Sequence, residues 1–251
     1  MRDHTPRWGR PEPAWRLLGP PLTRAVGALF DVRTRGLDHV PRRGPALVVA
    51  NHVGHLDALV LATALLRGAG RRVRFLALAD LFEDPIIGWW LRRGRAIPVW
   101  RGRGATPAVA AATDALEHGE VVLVYPEGRL PRGGPGSARP GAGAIALATQ
   151  APTLPVALWG MQAELPGPRF GRPAAVEIGE PLFPHTWSIH DPAAISAALL
   201  GVIRAELLPR ARVACGFASD HPDVDPDREV PATGSVWRTS LALGSRFLRG
   251  G

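Results

Sequence analysis

Short apolar runs alternate with stretches of helical periodicity across the middle of this chain, and that alternation restricts its fold more than any other feature. The runs Ala46–Ala50, Val73–Ala79, Ala96–Val99, Val121–Tyr125, Pro155–Trp159 and Ala174–Ile178 have the length and β-branched content of buried strands. Helical patterns fall between or after them, at Asp57–Arg67, Pro85–Arg92, Pro107–His118, Ala142–Gln150 and Pro192–Leu208. Strand–helix alternation of this kind predicts an α/β domain with a mostly parallel central sheet flanked by helices. Its active groups are then expected on loops at the strand ends.

At 251 residues the chain accommodates one well-buried domain with extensions. It contains no Lys, so all of its basic charge is Arg. Schiff-base, pyridoxal-phosphate and P-loop chemistries that need a lysine are thereby excluded. The net charge of +8 suits polyanionic partners, among them anionic lipid head groups. The basic residues are dispersed and no recognised RNA- or DNA-binding motif occurs, so no nucleic-acid partner is expected. A single cysteine, Cys215, rules out an intramolecular disulfide and reads as a small apolar core residue.

The N-terminus lacks the basic-then-apolar pattern of a signal peptide. No run of about 18 uninterrupted apolar residues suggests a spanning helix. The expected location is cytoplasmic, peripheral to the inner face of the cell membrane. Residues 14–30 carry an amphipathic helical pattern that Pro20 and Pro21 should break or kink. Ser219 to Pro231 reads as an acidic linker. Beyond it, Trp237, Leu241, Phe247 and Leu248, with Arg238, Arg246 and Arg249 among them, suggest a basic amphipathic tail that either lies on a membrane or packs on the core. The Trp-containing stretch Ile86–Trp90, followed by Arg92 and Arg93, suits a surface at the head-group level, or an ordinary core helix with a solvated basic end.

The most informative segment is Val48–Asp57, where a buried run ends in Asn51 and His52 and a helix starts close to Asp57. On one continuous helix, residues five apart point about 140° from each other. With His52 on a strand-end loop and Asp57 in the first helical turn, the two can meet. The carboxylate then fixes the imidazole tautomer and leaves the other nitrogen as a base. Alternatives remain at this point. His52, His55 and Asp57 could ligate a metal, although no further cluster completes a site. Asp57 could merely cap the helix, with His52 structural. A serine hydrolase would need a G-x-S-x-G elbow, which is absent.

A second strand, Val121–Tyr125, runs into Pro126-Glu127-Gly128-Arg129, a tight turn that in a parallel sheet lies on the same rim as His52. With these two segments the sequence resembles the glycerolipid acyltransferase family, typified by lysophosphatidic acid acyltransferases. Asn51-His52-x-x-x-x-Asp57 matches the first motif of that family and Tyr125-Pro-Glu-Gly128 the third. The segment from Ala96 to Arg101 fits the second, and that from Ala151 to Val156 the fourth. The likeness spans roughly residues 37–181.

The resemblance implies His52 as general base, Asp57 as its orienting partner and Arg101 as a contact for the acceptor phosphate. It implies that Glu127, Gly128 and Arg129 shape the acceptor site. The donor it implies is acyl-CoA or acyl carrier protein, the acceptor a lysophospholipid-type alcohol, with an anionic membrane surface as further partner. Neither cofactor nor metal is expected. Same-family chemistry on a glycolipid or amino lipid, and a catalytically silent lipid-binding protein, are the alternatives. Residues 31–213 would form the acyltransferase domain, 1–30 an N-terminal extension, and 214–251 a linker and tail. Two departures bear on the acceptor. Gly54 stands where the family commonly has Ser, and Arg129-Leu130-Pro131 where it commonly has Thr-Arg-Ser. The Gly-rich segment after Leu130 reads as a loop, either over the site or a plain turn.

Overall fold

The computed structural model describes residues 13–100, 106–130, 137–162 and 170–216. Among them a seven-stranded sheet runs in the order β1-β7-β6-β2-β5-β3-β4. The strands are β1 (Phe30–Arg35), β2 (Ala46–Ala50), β3 (Val73–Leu78), β4 (Ile97–Val99), β5 (Val121–Val124), β6 (Thr153–Trp159) and β7 (Arg172–Ile178). Every neighbouring pair is parallel except β6 and β7. The carboxyl ends of β2 to β6 therefore share one rim.

β2 sits in the middle, with Val48 opposite Leu123 on one side and Leu154 on the other. All five of its residues are buried, which is why the strand reads as an unbroken apolar run rather than an alternating one. Alternation survives in what each residue touches. Ala46, Val48 and Ala50 join the core against α1 (Pro13–Leu29) and α2 (Asp57–Ala69). Leu47 and Val49 join the core on the opposite face, under α4 (Thr106–Glu117), α5 (Gly141–Thr149) and α6 (Pro192–Val202). The result is a helix–sheet–helix sandwich whose two cores are separated by the sheet.

Three elements differ from the sequence-based expectation. β1 is an additional strand, beginning directly where α1 ends and pairing with β7 from Phe30↔Arg172 to Arg35↔Glu177. It is an edge strand with alternating exposure, and its polar residues gave no apolar run. α1 continues through Pro20 and Pro21 without a break in helical assignment. Val26 is buried and Leu22 and Leu29 pack on the core beside α2, so tertiary contact holds a helix that lacks two backbone donors.

The third concerns the stretch expected as one helix over 192–208. It runs as α6, then a π-helical turn Ile203–Leu207, then α7 (Leu208–Ala214). Pro209 cannot donate to the carbonyl four residues earlier and its ring crowds that oxygen. The turn widens, and Leu208 N–H donates to Ile203 O, five residues back. Continuous over Pro192–Ala214, this is the one helix among the described residues long and apolar enough to cross a membrane, a feature that the count of uninterrupted apolar residues did not pick up. Here it lies on the sheet, with Ile195, Leu199 and Ile203 fully buried. Cys215, just past its end, is buried, and desolvation pushes its thiol up to about 11, against the opposing pull of Arg33.

Candidate active site

β2 ends at Ala50, and the next residue takes over its pairing with a side chain. Asn51 Nδ2 donates to Leu158 O at 3.0 Å, while Leu158 N–H donates to Asn51 Oδ1 at 2.7 Å. This reciprocal pair of hydrogen bonds to β6 fixes the point at which the chain leaves the sheet and lifts His52 onto the rim. Residues 51–56 then form a loop, and α2 starts at Asp57.

Asp57 is fully buried, and its Oδ2 collects three donors: the His52 ring at 2.8 Å, Val53 N–H at 2.6 Å and Gly54 N–H at 2.9 Å. Because a carboxylate only accepts, His52 carries its proton on Nδ1 and leaves Nε2 as a lone-pair acceptor. The backbone bonds wrap the loop around the carboxylate, so loop shape and ring orientation depend on the same atom. Asp57 also begins a helix, where negative charge is favoured. Oδ1 has no hydrogen-bond partner among the described residues.

Gly54 permits this wrapping. A Cβ there would stand 2.3 Å from Met161 O, so the backbone of the 160–162 segment presses directly on the loop. A Ser at this place, which the family resemblance leads one to expect, cannot fit the present geometry.

The neighbouring strand β5 delivers Tyr125 and the turn after it. The Tyr125 ring stacks on the His52 imidazole, centroids 4.1 Å apart and planes within 11°. Its hydroxyl is buried without a hydrogen-bond partner among the described residues. Desolvation, reinforced by the Asp57 charge, pushes that phenol well above its ordinary value. Gly128 closes the turn with its N–H donating to Tyr125 O at 3.0 Å and adopts a φ of +68°, a left-handed conformation that favours glycine.

Glu127 is buried, at 4% exposed, and faces inward. Its Oε1 accepts His52 N–H at 3.1 Å, and its Oε2 lies 3.6 Å from Arg204 Nη2. Both oxygens are thus directed at protein groups. Gly128 and Arg129 follow on the exposed arm of the turn.

Of the residues singled out in the sequence, the fold brings together His52, Asp57, Glu127, Gly128 and Arg129 at the ends of β2 and β5. Arg101 lies outside the described residues, as does the Gly-rich segment 131–136. β4, which leads to Arg101, ends on the same rim two strands from Glu127. His55 is exposed, apart from the His52–Asp57 contact. No group of three or more His, Cys, Asp or Glu among the described residues could hold a metal ion.

Two contributors stood in the quoted motifs without an assigned role: Asn51, a polar residue ending an apolar strand, and Tyr125, the aromatic one before the turn. Arg204 left no signal, being 77 positions from its partner Glu127 (204 less 127).

Comparison with known proteins agrees with this geometry. The sequence profile of the acyltransferase family matches residues 31–159, half of the chain and the part that carries the rim. An uncharacterized protein of Mycobacterium tuberculosis is 35% identical over 176 residues, which are 62% of this chain and 45% of that protein. The chain therefore spans less than half the length of this relative. A 1-acyl-sn-glycerol-3-phosphate acyltransferase of Bacillus subtilis is 27% identical over 173 residues, 67% of this chain and 84% of that enzyme. The crystal structure of the 1-acyl-sn-glycerophosphate acyltransferase of Thermotoga maritima superposes with a TM-score of 0.60 at 26% identity, covering 76% of this chain and 77% of that one. On a profile match over this much of the sequence, and a fold shared with a solved relative, the chain belongs to the acyltransferase family.

Proposed function

We propose that the protein transfers a fatty acyl group from an acyl thioester, acyl-CoA or acyl carrier protein, to a hydroxyl of a lysophosphatidate-like acceptor. The observation that carries this reading is the His52 Nδ1–Asp57 Oδ2 contact on the rim beside the Glu127 turn. His52 Nε2 takes the proton of the acceptor hydroxyl as its oxygen attacks the thioester carbonyl carbon. The carbon–sulfur bond then breaks, the thiolate leaves, and the imidazolium returns the proton to it. Asp57 stabilises the imidazolium without taking its proton. A thiolate leaves readily, so the chemistry needs no acyl-enzyme.

The 1-acylglycerol-3-phosphate acyltransferase names of the Bacillus and Thermotoga relatives support a phosphate-bearing acceptor. Arg101, two residues after β4 in the sequence, and Arg129 supply the cations such a head group needs. Glu127 and Gly128 shape the wall beside them. The acceptor is a lipid, so the enzyme works peripherally at a membrane, on its cytoplasmic face.

A second acceptor class, a glycolipid or amino lipid, is favoured by one observation. Gly54 and the segment Arg129-Leu130-Pro131 depart from the usual family residues where the acceptor would bind. One assay separates the two. Purified protein with acyl-CoA and lysophosphatidate releases free CoA, and His52→Ala abolishes the release. Turnover only with a glycolipid or amino lipid shifts the acceptor and keeps the reaction. A wild type silent on every alcohol acceptor with both CoA and carrier-protein donors overturns acyl transfer.

A further inference from the structure

We infer that Arg204, delivered by the π-helical turn between α6 and α7, is a positioning residue that holds His52 in place through Glu127. The inference rests on the acyl-transfer reading above. Glu127 is almost wholly buried, and a carboxylate in that position needs compensation on both oxygens. One oxygen accepts the His52 backbone N–H, and the other faces the Arg204 guanidinium at 3.6 Å. The Glu127 side chain is thus a strut between the backbone of the residue that carries the base and a cation on a distant helix. Asp57 fixes the plane of the imidazole, whereas Glu127 fixes the height of the backbone bearing it. Without the cation, the buried carboxylate loses its reason to stay between them and turns toward water.

Arg204 reaches this place through a backbone irregularity with a local cause. Pro209 forbids an ordinary helical turn, and Ile203–Leu207 widens to a π turn in which Leu208 N–H finds Ile203 O. Ile203 and Leu207 are buried on the sheet and anchor the turn, leaving Arg204 at the rim with its side chain 32% exposed. α6 itself is set closely on α5, where Gly143 N–H donates to Ser196 Oγ at 2.8 Å and a Cβ on Gly143 would stand 2.1 Å from Pro192 O. Contacts thus run from the helix over Pro192–Ala214 through Glu127 to the backbone of the base. Glu127 Oε2 has the Arg204 ion pair but no hydrogen bond among the described residues. α6 and Arg204 themselves lie outside residues 31–159, which the family profile covers.

The test combines kinetics with a readout that needs no substrate. In the full-length protein, Arg204→Gln lowers kcat roughly ten- to a hundredfold, the cost of a displaced catalytic group, with KM within about twofold. Arg204→Lys recovers part of that loss. Glu127→Gln/Arg204→Gln is no slower than Glu127→Gln alone, because both residues act through one strut. By NMR, the His52 amide exchanges with solvent at least about tenfold faster in Arg204→Gln, as expected for loss of a charge-assisted hydrogen bond. A rise in KM with kcat unchanged would mean that Arg204 touches the acceptor directly and overturns the proposal. Multiplicative effects in the double variant, or unchanged exchange of the His52 amide, also overturn it. If the wild type itself shows no turnover, the acyl-transfer reading fails, while the amide exchange still decides whether Arg204 holds the strut.

Discussion

The Tyr125 ring lies face to face with the His52 imidazole, 4.1 Å between centroids and 11° from parallel, while its hydroxyl is buried with no partner among the described residues. The ring face, not the hydroxyl, is thus what this side chain presents to the candidate base. A ring face would stabilise the imidazolium that the proposed mechanism forms at His52, by roughly 0.5–2 kcal/mol. Tyr125→Phe keeps the face and is expected to retain kcat. Tyr125→Leu removes it and lowers kcat about three- to thirtyfold, the same energy expressed as a rate. Steady-state kinetics of the two variants checks this, and equal rates would remove the stack from the mechanism.

The same residue gives a spectroscopic prediction, because it is the only tyrosine in the chain. Burial and the Asp57 charge hold its phenol well above the ordinary value near 10. The folded protein thus binds this proton more tightly than the unfolded chain does. The stabilisation is fully present below about pH 10 and is lost as pH rises from there toward the folded-state value. Tyrosinate absorbance should be absent at pH 10 in the native protein and appear together with loss of structure. Tyr125→Phe should flatten the alkaline decline in melting temperature.

Asp57 joins loop shape to ring orientation through one oxygen, so its substitution separates two effects. Asp57→Asn keeps the volume but places at most one acceptor before three donors. The tautomer of His52 is then no longer fixed, and kcat should fall by about 10³-fold or more. Asp57→Ala additionally leaves the Val53 and Gly54 N–H groups unpaired and should cost about 3–5 kcal/mol of stability. Kinetics on Asp57→Asn and denaturant unfolding of Asp57→Ala read the two separately. A fully active Asp57→Asn would detach this carboxylate from catalysis.

Much of the rim was legible because its parts are local. An apolar run ending in Asn-His, with an Asp five residues on, specifies a strand, a loop and a helix start, and α2 does begin at Asp57. Elements that owe their form to distant partners were not legible. Four of the six residues of β1 are polar, and it becomes a strand only because β7 lies beside it. α1 passes two prolines because its apolar face is buried on α2 and the sheet. Arg204 meets Glu127 only through tertiary structure.

Gly54 belongs to the same class. The sequence showed a departure from the Ser that the resemblance implies but not its reason, which is the approach of Met161 O just past the rim end of β6. The obstacle is backbone and cannot rotate away. Gly54→Ala and Gly54→Ser should each destabilise the protein by about 1–3 kcal/mol, the usual cost of overpacking. Shortening Met161 to Ala should not restore the loss. Thermal melts of the single and double variants test this. A Gly54→Ser protein as stable as the wild type would show that the 160–162 segment yields.

The apolar surface beside the rim supplies the last expectation, which concerns how a lipid acceptor is reached. Leu78 ends β3 and pairs with Val99, next to the exposed Trp100. Leu78 is three residues past Phe75, the partner of Leu123, just as Pro126 is three past Leu123, so both stand at about the same height on the rim. α3 (Ile87–Arg93) caps this corner. Gly88 and Leu91 are buried, while Ile86, Ile87 and Trp89 are exposed, Ile86 by 71%. Arg93 lies 5.1 Å over the Trp89 ring, a pairing suited to the head-group level of a bilayer. The exposed Arg92 and Arg93 are offset by exposed Asp80, Glu83 and Asp84, so insertion of the apolar groups should contribute more than attraction to anionic lipid. Ile86→Ser/Ile87→Ser removes about 2 kcal/mol of insertion, roughly a thirtyfold weaker partition onto vesicles in flotation. Turnover of an acceptor embedded in those vesicles should fall in parallel, while turnover of a short-chain monomeric acceptor stays unchanged. Replacing anionic by zwitterionic lipid should weaken partition less than the double substitution does. Unaltered flotation of the double variant would place the membrane contact elsewhere on the molecule.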